Sequence, residues 1–112
     1  MQFIKDKEFY KVARITGPNH NFLAIRLSEN ECSPKIVSLP IKDKEIAKVD
    51  GKEVLKQVQS GLLTVNQELK QKYFVSEIQF VPSDTESTCI YEFLIQELIK
   101  RIHSGEEFAT AK

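Results

Sequence analysis

Two polar segments of this 112-residue chain carry the side chains that could do chemistry. The first, GPNHN at positions 17–21, contains His20, and a histidine in a loop can act as a general base or as a metal ligand. The second, PSDTES at positions 82–87, contains Asp84. His20 and Asp84 are therefore the candidate catalytic residues, provided that the fold brings them together.

Both segments also have a purely structural interpretation. Asn and His residues such as Asn19, His20 and Asn21 tolerate turn geometry and bond to their own backbone. Asp84 and Glu86 suit the start of a helix, where their charge would repel a bound anion. If the first and fourth predicted strands run parallel, however, His20 and Asp84 lie at one edge of the sheet.

Motifs that would specify a metal, a cofactor or a nucleophile do not occur in the sequence. There is no CxxC, HxxxH or HExxH, and His20 and His103 lie 83 positions apart. There is also no GxGxxG, no Walker loop and no GxSxG. We therefore predict no cofactor and no metal, and whether the protein is an enzyme stays open, with the balance against catalysis.

The charge balance argues against a polyanionic partner. Sixteen basic and sixteen acidic residues give a net charge of zero, so nothing steers the chain toward nucleic acid. A set of lysines at helical spacing alternates with acids and is typical of a solvated face: Lys44, Lys48, Lys52 and Lys56, with Glu45, Asp50 and Glu53. No apolar run approaches the length of about 18 residues that a membrane span needs.

The two cysteines predict a reducing environment. Two cysteines, Cys32 and Cys89, are too sparse for a disulfide framework, so we expect free thiols and a cytoplasmic protein. Cys89 comes just before an apolar helix face and is expected to be a small core residue. The opening MQFIKD is too short and too charged for a signal peptide.

Four segments have the composition or alternation of strands. Gly17-Pro18 ends the first of them, and Pro40 places the third at a sheet edge or ends it there. The five-residue connection between the first two suits an antiparallel hairpin. The predicted strands are residues 8–16, 21–28, 35–39 and 73–81.

Two segments have helical periodicity. Asp50 offers an N-cap to a helix over residues 51–71, whose apolar stripe stays in phase across Gly61 and predicts one continuous helix. That stripe consists of Leu55, Val58, Leu62, Val65 and Leu69. The last helix starts after the spacing Ser83 to Glu86, which resembles a capping box, and ends at Gly105.

The last helix is more apolar than a one-sided amphipathic helix needs to be. Its apolar residues cover all but a narrow face, so two sides should be covered, one of them by the sheet. The first helix is the simple candidate for the second cover, and a partner protein or a second copy is the alternative. In that alternative Tyr91, Ile95 and Ile99 would contact the partner.

These elements predict an α+β fold, a two-layer sandwich of order β-β-β-α-β-α. The sheet would be four-stranded and largely antiparallel, with two helices on one face. Residues 1–105 would form the single domain, and residues 106–112 a frayed tail.

Two functions are compatible with this fold. The first is a small cytoplasmic protein-binding module, an inhibitor, immunity-type protein or adaptor subunit that acts without catalysis, with self-association to a homodimer as a variant. It relies on the missing catalytic motif, the apolar last helix and an edge strand open to pairing. The alternative is a small enzyme or ligand-binding domain with a pocket near His20 and Asp84.

Overall fold

The computed structural model describes residues 1–111 of the chain. Over these residues the chain forms six strands and two helices: β1 (Gln2–Asp6), β2 (Phe9–Thr16), β3 (Asn19–Ser28), β4 (Lys35–Ser38), α1 (Gly51–Leu69), β5 (Phe74–Phe80), α2 (Ile90–Ser104) and β6 (Ala109–Thr110). Both helices pack into one hydrophobic core with the sheet. Within residues 1–111, no helix combines the length and the apolar character that crossing a membrane requires.

The sheet differs from the predicted one in size, in direction and in chain order. Its strand order is β4-β5-β3-β2-β1-β6, so it has six strands rather than four. The pairs β1–β2, β2–β3 and β3–β5 are antiparallel, whereas β4–β5 and β1–β6 are parallel. The prediction of a four-stranded, largely antiparallel sheet of order β-β-β-α-β-α is therefore wrong, although the α+β class and the two helices are confirmed.

The first missing strand lies at the start of the chain. Gln2–Asp6 pairs with β2 through a tight turn in which Lys7 takes a left-handed conformation, with φ of 54°. Phe3 lies opposite Val12 and packs against the core, so this short, mixed-charge segment contributes one aromatic ring to the core in addition to its backbone pairing. Five residues with one such ring give too weak an alternation to be recognised as a strand.

The second missing strand lies in the segment that was predicted to fray. Ala109–Thr110 pairs with β1, and Phe108 packs edge-on against two rings, 6.0 Å from Phe3 and 5.3 Å from Tyr10 between centroids. The guanidinium of Arg101 lies 4.4 Å from the centroid of Phe3 and donates to the carbonyl of Glu107. The end of the chain is thus tied to β1 as far as residue 111, and Lys112 lies outside the described residues.

We expect Phe108→Ala to lower the free energy of unfolding by about 2 kcal/mol, since a half-buried ring loses its aromatic contacts. Urea denaturation of the full chain measures this change. Glu107→Ala is the matched control, because it removes an exposed side chain and keeps the carbonyl that Arg101 binds. Equal stability of the two variants would show that the final segment does not contribute to the fold.

The first helix follows the prediction closely. Asp50 is its N-cap and accepts a hydrogen bond of 3.1 Å from the backbone N–H of Lys52. The helix continues through Gly61, which is buried against α2. A Cβ added to Gly61 would overlap the carbonyl oxygen of Glu92 and lie 2.5 Å from Cγ2 of Ile95. Glycine is therefore present because the two helix backbones come very close at this point.

The second helix begins later than its capping-box spacing predicted. Its first residue is Ile90, and Ser83 and Glu86 belong to an irregular segment before it. The hydroxyl of Ser87 accepts the N–H of Ile90 at 3.1 Å, so a serine still satisfies the helix start. Cys89, expected in the core, is exposed at the N-cap position.

The apolar width of α2 is explained by α1. Tyr91, Ile95 and Ile99 are at most 1% exposed, in the core that α2 shares with α1 and the sheet. These three residues, predicted to contact a partner, therefore offer it no side-chain surface. The contact between α1 and α2, which Gly61 allows because it has no side chain, covers this face of α2.

Candidate functional site

His20 and Asp84 lie together at one end of the strands β3 and β5, in the interior of the strand order. His20 lies at the start of β3, and Asp84 follows the end of β5, which is the antiparallel neighbour of β3. The first and fourth predicted strands correspond to β2 and β5. They run in the same direction on either side of β3, which is the condition under which the sequence analysis expected His20 and Asp84 to lie together.

The carboxylate of Asp84 orients the imidazole ring of His20. Nδ1 of His20 lies 2.7 Å from Oδ1 of Asp84, and the N–H of Phe22 donates to Oδ2 over 2.7 Å. The Asp84 side chain is 4% exposed, whereas that of His20 is 53% exposed. Because an ionised carboxylate only accepts hydrogen bonds, the neutral imidazole in this contact has its proton on Nδ1, which leaves on Nε2 a lone pair that could bind a ligand or accept a proton.

Burial dominates the electrostatics of Asp84. Desolvation raises the pKa of this carboxyl above its ordinary value, the hydrogen bonds from Phe22 and His20 partly oppose the rise, and the charge of Glu45 adds to it. A raised pKa means that the fold holds this proton more tightly than the unfolded chain does. Ionisation of Asp84 therefore costs stability, and that cost is relieved as the pH falls through the folded-state pKa.

The turn that carries Asp84 is also fastened by backbone contacts. The N–H of Thr85 donates to the carbonyl of His20, and the N–H of His20 donates to Oγ1 of Thr85, both over 3.1 Å. The buried amide of Asn21 donates to the carbonyl of Thr85 at 2.8 Å and to the hydroxyl of Tyr91 at 3.2 Å. The position of Asp84 therefore does not depend on the imidazole.

Asn21, which the sequence analysis interpreted only as a residue that tolerates turn geometry, is part of this site. It is 7% exposed and lies on the same face of β3 as Leu23 and Ile25. Its phase with these apolar residues was a signal that its amide points inward and needs buried partners. One partner, Tyr91, has a pKa raised to about 12, mainly by burial, so its hydroxyl stays protonated.

A cleft of about 410 Å³ opens beside His20. Its lining consists of His20, Lys44, Glu45, Ile46, Lys48 and Ser83. Residues 41–50 form no helix, so the predicted helical spacing of Lys44 with Lys48 does not exist, and the loop instead brings both lysines to this cleft. Backbone N–H groups of Lys48 and Val49 donate to the carbonyl of Pro82 at 2.7 and 3.0 Å, which joins the loop to the Asp84 turn.

A second cavity, of about 450 Å³, lies at the opposite end of β2 and β3. Its lining contains four charged residues, Asp6, Lys7, Glu8 and Lys11; Lys11 pairs with Asp6 at 2.9 Å, and Glu8 pairs with Arg26 at 3.4 Å. The pKa of Asp6 is lowered mainly by this hydrogen bond from Lys11. Because three of these four charged residues are paired and the lining contains no histidine, the cleft at His20 is the better candidate site.

Neither a metal-binding cluster nor a comparison with known proteins indicates a function for this cleft. Within residues 1–111, no group of three or more His, Cys, Asp or Glu side chains is arranged to hold a metal ion. Models of known protein families, curated proteins and solved structures give no match to this chain. The geometry of the chain is therefore the basis for its functional assignment.

Proposed function

We propose that the protein is a small ligand-binding domain whose site is the cleft beside His20. The observation that carries this proposal is the 2.7 Å contact between Nδ1 of His20 and Oδ1 of the buried Asp84. It fixes the imidazole at one nitrogen and leaves the other, on a half-exposed ring, for a ligand. A bound molecule would be recognised by a hydrogen bond to Nε2 and by the polar groups of the cleft.

Two observations favour this function over a protein-binding module. Most of the apolar surface of α2, which was one of the three arguments for a partner, is covered by α1 and the sheet, and Phe93 is the one large apolar side chain of α2 that is exposed. A second argument for a partner was the absence of a catalytic motif. The contact between His20 and Asp84 weakens that argument, because it places a pair of side chains capable of chemistry next to a cleft. A structural role alone would not need the imidazole, because the backbone N–H of Phe22 and the backbone carbonyl of His20 already bind the Asp84 turn.

A protein-binding function has one observation in its favour, the outer edge of β4. Lys35–Ser38 is the last strand of the sheet and pairs on one side only, with β5. A strand from a partner protein, or from a second copy, could add to this edge, as expected of an inhibitor, an immunity-type protein or an adaptor. Either function suits the reducing cytoplasm, in keeping with the free thiols of Cys32 and Cys89.

His20→Ala is expected to weaken ligand binding at least tenfold, since it removes the group that recognises the ligand. Nuclear magnetic resonance of the ¹⁵N-labelled chain, screened against a library of small polar metabolites, would identify ligands by shifts at His20 and Ser83. His103→Ala is the matched control, because this second histidine lies on Tyr73, away from the cleft.

The same spectra separate the two functions. A protein that adds a strand would shift the backbone amides of Lys35–Ser38 and leave the His20 ring unchanged. Ligands that bind His20→Ala as tightly as the natural chain, or a library without any binder, would contradict the ligand-binding proposal.

A further inference from the structure

One side of the sheet is covered by no helix within residues 1–111. The strand residues that pack with the helices in the core share one phase of the strand alternation, and the residues of the other phase form what we call the bare face. Its apolar members include Ile4, Phe9, Ala13, Ile15, Phe22 and Val37. We infer that the bare face is the interface of a homodimer, in which the same face of a second copy packs against it. This inference does not depend on the ligand-binding proposal.

The strands of the bare face lack the alternation of a sheet that has one side in water, where the outward positions are usually polar. Three of the four outward positions of β2 are apolar, namely Phe9, Ala13 and Ile15, and Lys11 is the fourth. Ile15 is 69% exposed, and the rings of Phe9 and Phe22 are half-buried. Apolar residues on the outward side of neighbouring strands are expected where a second layer covers the sheet.

The charged groups in the middle of the bare face are already paired with each other. Lys11 lies 2.9 Å from Asp6, and Arg26 lies 3.5 Å from Glu77. Because charges are tolerated in a buried position when they are paired, a second layer could exclude water from this area without leaving an unpaired charge. Two further groups of this phase lie at its margin: Lys35 on the outermost strand β4 and His20 at the start of β3.

Shape, size and charge favour a second copy as the cover. Sheets pack face to face in sandwiches, and each copy of this chain supplies one sheet. Five strands at a spacing of about 4.8 Å, with about six residues each, give a face of about 24 by 20 Å, or roughly 500 Å² in projection, which suits a small dimer interface. A face with paired charges selects no acidic or basic partner, whereas two chains of net charge zero meet without repulsion.

Phe22→Lys is expected to weaken the dimer at least about tenfold, since it places an unpaired charge within the interface. The backbone N–H of Phe22, which binds Asp84, is kept. Sedimentation equilibrium of the full-length chain, from about 5 to about 500 µM, measures the dissociation constant. Ile15→Lys changes an exposed side chain of the same face, so it should fold normally and also weaken the dimer. Leu63→Lys is the matched control, because Leu63 is 62% exposed on α1 and lies outside the bare face.

Methyl spectra of the natural chain locate the interface. With rising concentration, the methyl groups of Ile4, Ile15 and Val37 should shift, and those of Leu63 should not. A natural chain that stays monomeric at about 500 µM would overturn the inference, and methyl groups that then shift with uncharged detergent micelles would identify a lipid surface as the cover. A dimer that Leu63→Lys weakens, but Phe22→Lys and Ile15→Lys do not, would also overturn it. Ligand binding that depends on His20 in a monomeric chain would leave the proposed function intact.

Discussion

Gly61→Ala is expected to lower the free energy of unfolding by about 2 kcal/mol. The added Cβ would overlap the carbonyl oxygen of Glu92 and approach Ile95 within 2.5 Å, so the two helices must move apart. Forcing a methyl group into a packed contact costs about 3 kcal/mol, and the better helix propensity of alanine returns about 1 kcal/mol. The variant is therefore less stable because the packing cost exceeds the gain in helix propensity.

Urea denaturation followed by circular dichroism measures this effect. Ser60→Ala, one residue away on the exposed side of the same helix, loses only its hydrogen bond to Glu92 and should change stability by about 0.5 kcal/mol or less. If Gly61→Ala were as stable as the natural chain, α2 would not lie as close to α1 as described. The site depends on this packing, because Gln57 of α1 holds the start of α2 through the N–H of Tyr91 at 3.0 Å.

Asp84→Asn is expected to weaken binding at the cleft about tenfold or more, although the side chain keeps its shape. Its amide oxygen can replace Oδ2 and accept the N–H of Phe22, so its amide nitrogen must face Nδ1 of His20. An amide nitrogen only donates, and Nδ1 must then be the acceptor. The imidazole proton moves to Nε2, and the nitrogen that faces the ligand changes from acceptor to donor.

The stability of this variant should change little at neutral pH. The substitution removes the desolvation cost that raises the pKa of Asp84, which offsets the weaker hydrogen bonds of a neutral amide. The part of the pH dependence of stability that comes from Asp84 should also disappear. Asp6→Asn, at the opposite end of the sheet, is the control. Unchanged ligand affinity in Asp84→Asn would mean that the carboxylate does not orient the imidazole.

The sequence predicted those elements whose signal is local. The stripe from Leu55 to Leu69 and the cap at Asp50 gave α1 almost to the residue, because a helix is specified by neighbours within its own turns. Gln2–Asp6 and Ala109–Thr110 were missed because their pairing depends on the cluster of Phe3, Tyr10 and Phe108, which only the folded chain assembles.

The candidate site also combines residues that the sequence identified with contacts that only the fold creates. Residue type singled out His20 and Asp84, but their contact depends on the relative direction of β2 and β5, which sequence periodicity does not contain. Lys44 and Lys48 were read as a solvated helical face, because their spacing of four matches a helix that the chain does not form there. Loops lack a periodic signal, so the part of a site that they contribute is hard to predict.

The tautomer of His20 tests the central claim most directly. Long-range ¹H–¹⁵N correlation spectra of the natural chain, recorded where the imidazole is neutral, distinguish the ring nitrogen that carries the proton. We expect Nδ1 of His20 to be protonated, Nε2 to have the shift of an unprotonated nitrogen, and Asp84→Asn to exchange the two. Averaged shifts of two interconverting tautomers, unchanged in Asp84→Asn, would contradict the account, since Asp84 would then not hold the ring.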